Sequence, residues 1–367
     1  VPDISLLEPM VLNRVVQKFV TPQDLALLNT IPSRPSDGPD YVAWDIEKGA
    51  RQLAGFNVPG AEAILQNQLG NSSGYAKLAY SRIKKTFQGQ LLRWLREPGT
   101  INQTNAERKV MRELQGMSDS IDLEQEYLLW NALRGSSTIA YQDGSSVTIN
   151  YQFPSSHLVS PAVVWSSATP QNIVDDVFAW KRLVETHGRV PATDAYCSSV
   201  TVQKIIDAWV NRGVATVSLN TGGATSSIQT NAAPNSPSSL GAAAVGGLLS
   251  DTMKDAYYKG QGLPGFMGLD WHAVDELYTN TAGNNTRFVG DGTSGNPEVF
   301  LGNYTQGQPV TMVYGKSPDL EAGDDVYGKF TKSWLEKDPS ARVVLMELQY
   351  LPIVERPEQF IYCSNAG

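Results

Sequence analysis

Cysteine, histidine and positive charge are what this 367-residue chain has little of. Only Cys197 and Cys363 are present, so a disulfide scaffold is excluded and at most one bridge is open. The histidines are His157, His187 and His272. None stands at metal-ligand spacing from another histidine, a cysteine or an acidic residue, so no zinc or other metal site is expected. Lys and Arg number 29 against 37 Asp and Glu, for a net charge of −8 and a pI near 5.0. That balance excludes the basic footprint of a sequence-specific nucleic-acid binder. No apolar run reaches the roughly eighteen residues of a membrane-spanning helix, and the longest small-residue tract, 240–249, is too short.

What is present is a chain of about two domains' length, with 41% hydrophobic residues to build cores. Its clearest element is 105–134, which predicts one long helix. Val110, Leu114, Met117, Ile121, Leu128 and Ala132 recur at three- and four-residue spacing on one face. Thr104 and Glu107 fit a capping box, and Gly135 follows as a C-terminal cap. Such a rod is about 45 Å long, and Gly116 inside it marks a possible bend at a cost of about 1 kcal/mol. It is a girder for a sheet and holds no catalytic constellation.

Before the rod, residues 1–36 read as an extended arm, rich in Leu and Val but with little core of its own. Tyr41–Glu47 alternates like a strand, and Tyr80–Phe87 looks like its returning partner. The insert between them is too long for an ordinary hairpin; it fits a two-stranded flap or an unstructured loop. A helical stub at 90–96 ends at Pro98-Gly99. After the rod, Asp143-Gly144 between Ser137–Tyr141 and Ser146–Tyr151 signals a hairpin. Pro170–Val184 predicts a second helix with Ile173, Val177, Trp180 and Val184 inward. A strand at Ala195–Ser199 and a helix at Val202–Val210 follow. Leu219–Leu240 is low-complexity and reads as a mobile surface loop. A helix at 249–258 and strands at Met267–Tyr278, Val299–Leu301 and Val310–Val313 come next. The tail offers strands at Val343–Leu351 and Gln359–Cys363, separated by Pro352 and Pro357.

Patterns that match a catalytic expression fail on context. Gly260, Gly262 and Gly265 satisfy the dinucleotide fingerprint, but a helix precedes them and Pro264 lies among them. Gly315-Lys316-Ser317 lacks the first glycine of a phosphate loop, because Val310 takes its place. Gly70 to Gly74 fits a nucleophile elbow without a buried strand leading in. Asp175-Asp176 and Asp324-Asp325 are adjacent carboxylates, which ordinarily point apart into solvent. No cofactor is expected.

The order of parts nevertheless resembles a known family. Arm, long flap with its AGFNVPGAE turn, girder helix, Asp-Gly hairpin, second helix, insert-rich region and the returning run VVLMELQYLPIVERPEQFIY are similar to tailed-phage major capsid proteins of the α+β Hong Kong 97-like fold. The phage lambda major head protein family is the nearest likeness. VFLG at 299–302, Lys329-Phe330, Trp334 and Asp338-Pro339 extend it. The resemblance implies an N-terminal arm (1–36), an extended loop and neck (37–96), and a peripheral domain on the spine helix (97–190). An axial domain (191–330) and a return to the peripheral domain (331–367) complete it. It implies self-assembly as hexamers and pentamers into an icosahedral shell around DNA that is not bound by sequence. Assembly would occur in the host cytoplasm, with portal, scaffold and decoration proteins as candidate partners. Trp44, Ile46 and Phe56 of the flap are the expected contacts to a neighbouring subunit, and Arg82, Lys84 and Lys85 are expected to meet its acidic surface. An encapsulin-like cargo shell shares the fold. A carboxylate-dependent hydrolase using Asp324 or Asp175 is the reading from another class.

Overall fold

The computed structural model describes residues 9–38, 40–47, 71–88, 101–141, 144–211, 217–221, 224–228, 262–280, 283–292, 296–319, 321–322, 327–337 and 340–366. The expected stub 90–96, the helix 249–258 and Phe56 lie outside these residues.

The chain opens with α1 (Pro9–Val16) and α2 (Ala26–Thr30), followed by β1 (Ser33–Pro35). These do not form a coreless arm. Leu12, Val16, Leu25, Leu27 and Ile31 are buried in this chain's own core. Hydrogen bonds fix the placement: the Thr331 N–H donates to the Asn13 side chain at Oδ1, 2.7 Å away, and β1 pairs in parallel with a strand at 310–314. The leucines the arm was expected to offer to a neighbour are therefore spent within the subunit.

A ribbon of β2 (Tyr41–Glu47) and β3 (Asn71–Lys77) comes next, then β4 (Ala79–Gln88). The expected return strand at Tyr80–Phe87 is thus a different element. β2 pairs with β3, from Tyr41 opposite Lys77 to Glu47 opposite Asn71, whereas β4 pairs with the tail over ten positions, Gln88 opposite Ala341 to Ala79 opposite Tyr350. A long ladder beside a buried tail strand satisfies more main-chain groups than a solvated ribbon.

The girder is α3 (Ile101–Leu133). Thr104 already lies within the helix, three residues past its start, so the helix begins ahead of the expected cap position. Val110, Leu114, Met117, Ile121, Leu128 and Ala132 are all buried, and near the C-terminus Leu129, Trp130 and Leu133 widen the stripe. Gly135 ends the rod at φ +95°, with its N–H on the Ala132 carbonyl at 3.0 Å. The hairpin β5 (Ser136–Ala140) and β6 (Ser146–Asn150) follows, and Gly144 in its turn takes φ +83°. A short β7 (Leu158–Val159) leads to α4 (Pro170–His187). Thr169 and Asn172 form its capping box, and the four expected side chains face inward.

β8 (Asp194–Cys197) and α5 (Ser199–Asn211) follow. Part of the low-complexity stretch is a hairpin, β9 (Val217–Thr221) against β10 (Ala224–Ile228), since Val-Ser-Leu and the Thr/Ser residues carry enough β-propensity to pair. The run expected at Met267–Tyr278 is broken into β11 (Asp270–Ala273) and β12 (Leu277–Thr279), the latter paired with β13 (Asn285–Arg287). β14 (Glu298–Gly302), β15 (Val310–Tyr314), β16 (Phe330–Lys337), β17 (Ser340–Val354) and β18 (Phe360–Ser364) complete the chain.

Two sheets carry the two cores. The first has the order β1-β15-β17-β16, with β4 also on β17, and lies against α3. The second has the order β11-β8-β14-β18-β7 and is covered by α4 and α5. β17 runs straight through Pro352, where a break was expected. Pro352 faces Met312, whose N–H is turned away to the Pro32 carbonyl at 2.9 Å, so the proline's missing donor is not needed. β18 does not return to the spine sheet; it lies between β14 and β7 in the second one, because Phe360, Ile361 and Cys363 suit a position buried on both faces. Likewise β15 and β16 fall in the spine sheet and α4 in the second core, so the cores do not follow the expected boundaries at 190 and 331. Cys197 and Cys363 flank Val299 on opposite sides and are free and buried. Two strand spacings, about 9–10 Å, are too far for a disulfide.

The two halves are joined where α3 ends. Arg134 grips Glu298 with two bonds, Nε to Oε1 at 2.9 Å and Nη2 to Oε2 at 2.7 Å. The Tyr362 hydroxyl and the Gly290 N–H donate to the same carboxylate. Burial alone would raise the Glu298 pKa, but these bonds outweigh it and hold the carboxyl below its ordinary range. Trp130 packs on Phe300 beside the pair, with ring centroids 4.9 Å apart.

Candidate interaction surfaces

The β2–β3 ribbon has two unlike faces because successive side chains alternate. Val42, Trp44, Ile46 and Ala76 point inward and are buried. Gly74 sits under Trp44; a Cβ there would lie 2.4 Å from the indole. The Trp44 ring stands 6.2 Å from that of Tyr151, whose hydroxyl donates to the Pro352 carbonyl at 3.0 Å. Ser72 donates to Gln152 at 2.7 Å. Trp44 and Ile46, with 4% and 2% of their surface exposed, thus seat the ribbon on its own subunit and are not free for a neighbour. Period-two alternation is the reason: the apolar set goes to whichever face meets a core, and here that core is the chain's own. The outward face instead carries Tyr41 and Tyr75, stacked at 5.7 Å, with Tyr75 74% exposed.

The three cations of β4 separate in the same way. Lys85 turns toward α3 and binds Glu113 at 2.7 Å. Arg82 lies 3.7 Å from Glu347. Lys84 is exposed and, among the described residues, forms no ion pair. A further apolar surface stands at the far end of β16, where Trp334 and Leu335 are 39% and 64% exposed beyond the stretch covered by α1.

The chemistry-bearing residues fall elsewhere. Asp175 is exposed and accepts from Gln171, while Asp176 accepts from the Trp165 indole at 3.1 Å; Asp324 lies outside the described residues. The fold brings together histidines that the sequence keeps 30 positions apart. His157 Nδ1 is 2.7 Å from the Phe360 carbonyl and therefore donates. Its Nε2 must then accept from His187 Nδ1, 2.8 Å away. Burial lowers the His157 pKa. His272 meets Asp194 at 3.0 Å and stacks on Tyr196. Among the described residues no three His, Cys, Asp or Glu groups could hold a metal together. A cavity of about 1020 Å³ opens between α2 and β11, with Asp24, Tyr196, Asp270, His272, Asp275 and Glu276 among its walls. Neither the histidine pair nor this wall has a sequence signature, since both join residues from separate elements.

Comparison with known proteins gives one sequence family and a set of solved folds. The profile described as phage major capsid protein E matches residues 10–363. A capsid protein assigned to a prophage of Escherichia coli CFT073 superposes with a TM-score of 0.58 at 14% identity, covering 97% of this chain and 98% of that one. The SrpI encapsulin of Synechococcus elongatus PCC 7942 follows with a TM-score of 0.47 at 10% identity, covering 95% and 91%. A phage-related protein of Bordetella bronchiseptica RB50 has a TM-score of 0.47 at 10% identity, covering 98% of both chains. No curated protein matches.

Proposed function

This chain belongs to the phage major capsid protein E family, and from that premise we propose that its copies assemble as hexamers and pentamers into an icosahedral shell around the packaged genome. It is a major capsid protein with the Hong Kong 97-like fold, a structural component of the virion that associates with its own kind. The observation that carries this reading is the family match over residues 10–363.

The working parts are proposed as follows. The α3 sheet is the peripheral body, the second sheet with α4 and α5 the axial body, and the β2–β3 ribbon with the residues between its strands the extended loop. Trp44 and Ile46 hold the ribbon's base to its own subunit. Tyr41 and Tyr75 on its outer face, Phe56 from the segment between its strands, and Lys84 of β4 are then the contacts offered to the next subunit, with Arg82 and Lys85 held mainly in cis. Trp334 and Leu335 are a second contact. With a net charge of −8, the wall gives packaged DNA few phosphate contacts to grip. Assembly in the host cytoplasm with portal, scaffold and decoration proteins belongs to the same proposal.

The test is to express the chain and examine it by negative-stain microscopy and analytical ultracentrifugation. Closed particles of megadalton mass are expected. A uniform small oligomer across the salt and concentration range that supports assembly of related shells would overturn the reading.

A further inference from the structure

His157 ends the short turn Ser155–His157 and has no exposed surface, while His187 closes α4 and is partly buried. His157 Nδ1 lies 2.7 Å from the Phe360 carbonyl at the start of β18, and its Nε2 lies 2.8 Å from His187 Nδ1. The ring centroids are 5.1 Å apart. The fold presses these parts together. Gly188, which follows His187, comes so close to the turn Pro357–Gln359 that a Cβ there would fall 2.7 Å from the Glu358 carbonyl. β7, directly after His157, pairs with β18 through two residues, Leu158 opposite Tyr362 and Val159 opposite Cys363. A tie at the turn just before so short a strand therefore matters to that edge of the second sheet.

Counting protons shows what this tie tolerates. A carbonyl only accepts, so His157 Nδ1 keeps its proton in every state that keeps this bond. The two facing nitrogens then share a single proton: His187 Nδ1 gives it to a bare His157 Nε2, or the reverse. A proton on each would set two N–H groups head to head across 2.8 Å. The joined rings can thus carry one positive charge but not two, whereas separated rings in water can each carry one. The titratable groups that face His157 are His187 from α4 and Glu358 from the turn Pro357–Gln359. β18 meets it through the Phe360 main chain, and β7 brings Leu158 and Val159.

We propose that His157 and His187 form an acid-sensitive joint that ties the turn Ser155–His157 and β7 to the end of α4, and that opens when both rings are protonated. Burial lowers the His157 pKa against the Phe360 carbonyl, with His187 lowering it further and Glu358 opposing. A base that the fold keeps neutral binds its proton less tightly there than in the open chain. The tie is therefore at full strength above the ordinary value of 6.5, weakens as pH falls below it, and is lost as pH falls through the lower folded value. The joint belongs to the single subunit and does not rest on the shell reading.

Amide hydrogen exchange on the full chain tests it. Protection of peptides covering 153–160 and 184–190 is followed from pH 7.5 to 5.5, corrected for intrinsic rates and referred to 343–350 of β17. An opening that takes up one extra proton should cost wild type about tenfold in relative protection over that range. His187→Gln is expected to remove most of the fall, because a side-chain amide can turn an N–H toward a bare Nε2 or its oxygen toward a protonated one. His187→Asn offers the same two-way amide should the first variant fail to fold. Glu358→Gln should leave the fall in place. Protection that holds steady in wild type overturns the joint. So does an undiminished fall in the His187 variants, which would trace it to the burial of His157 alone. A fall that vanishes in Glu358→Gln would trace it to that carboxylate and overturns the joint as well. Sedimentation at each pH confines the comparison to samples in one assembly state, so a failure of the joint stays distinct from a failure of the shell reading.

Discussion

Leu114 has no exposed surface and fills the space between the spine helix and its sheet. Leu114→Ala removes that packing and leaves a cavity, so urea unfolding followed by tryptophan fluorescence should show a loss of about 2–5 kcal/mol. A change under about half a kcal/mol would mean that the site collapses without cost. Arg134 is different in kind. Replacing it with Met leaves Glu298 buried and charged, and the expected loss is about 3–5 kcal/mol. The pH behaviour carries the sign: Glu298 is held below its ordinary range, so its contribution is present above pH 4.5 and lost as pH falls through the lower folded value. Arg134→Met should therefore flatten the acid limb of the stability profile. An unchanged limb in the variant would show that the pair does not clamp the two halves.

At the scale of the element, the ribbon separates folding from assembly. Gly74 is there because the Trp44 indole occupies the place of a side chain. Gly74→Ala should displace the indole, with a loss of about 1–3 kcal/mol from overpacking and a red-shifted tryptophan emission. Replacing residues 48–70 by a short Gly/Ser turn keeps β2, β3 and their contacts. Far-ultraviolet circular dichroism and solubility should then stay near wild type while stable particles disappear on sedimentation. Normal particles from that deletion would remove the extended loop from the list of intersubunit contacts.

At the scale of the molecule, the tail serves both cores. A chain ending before Arg342 loses most of β17 and all of β18, a central strand from each sheet, and should not fold. A chain ending at Arg356 keeps β17 but withdraws β18 from between β14 and β7. Its expected signature is a spine half that still unfolds cooperatively while the second core, with Trp165, Trp180 and Trp271, is exposed to a fluorescence quencher. Equal protection of those tryptophans in both chains would show that β18 is dispensable.

The sequence by itself determined the spine helix, the Asp-Gly hairpin, the second helix with its four inward residues, and the single apolar face that Val42, Trp44 and Ile46 share, though not that this face turns inward. Each of these is periodic over a contiguous stretch, and local geometry fixes which face is apolar. Tertiary structure alone decided which apolar faces meet. The arm's leucines and the ribbon's tryptophan went to the chain's own cores because those surfaces were there to receive them. β4 left the ribbon for the ladder of β17, and β18 crossed to the second sheet. Glu126 beneath Leu27 and Leu28, Arg134 on Glu298, and His157 against His187 had no local signal at all. Each joins residues from 30 to 164 positions apart, and a pairing of polar groups across that separation leaves no period in the sequence that carries it.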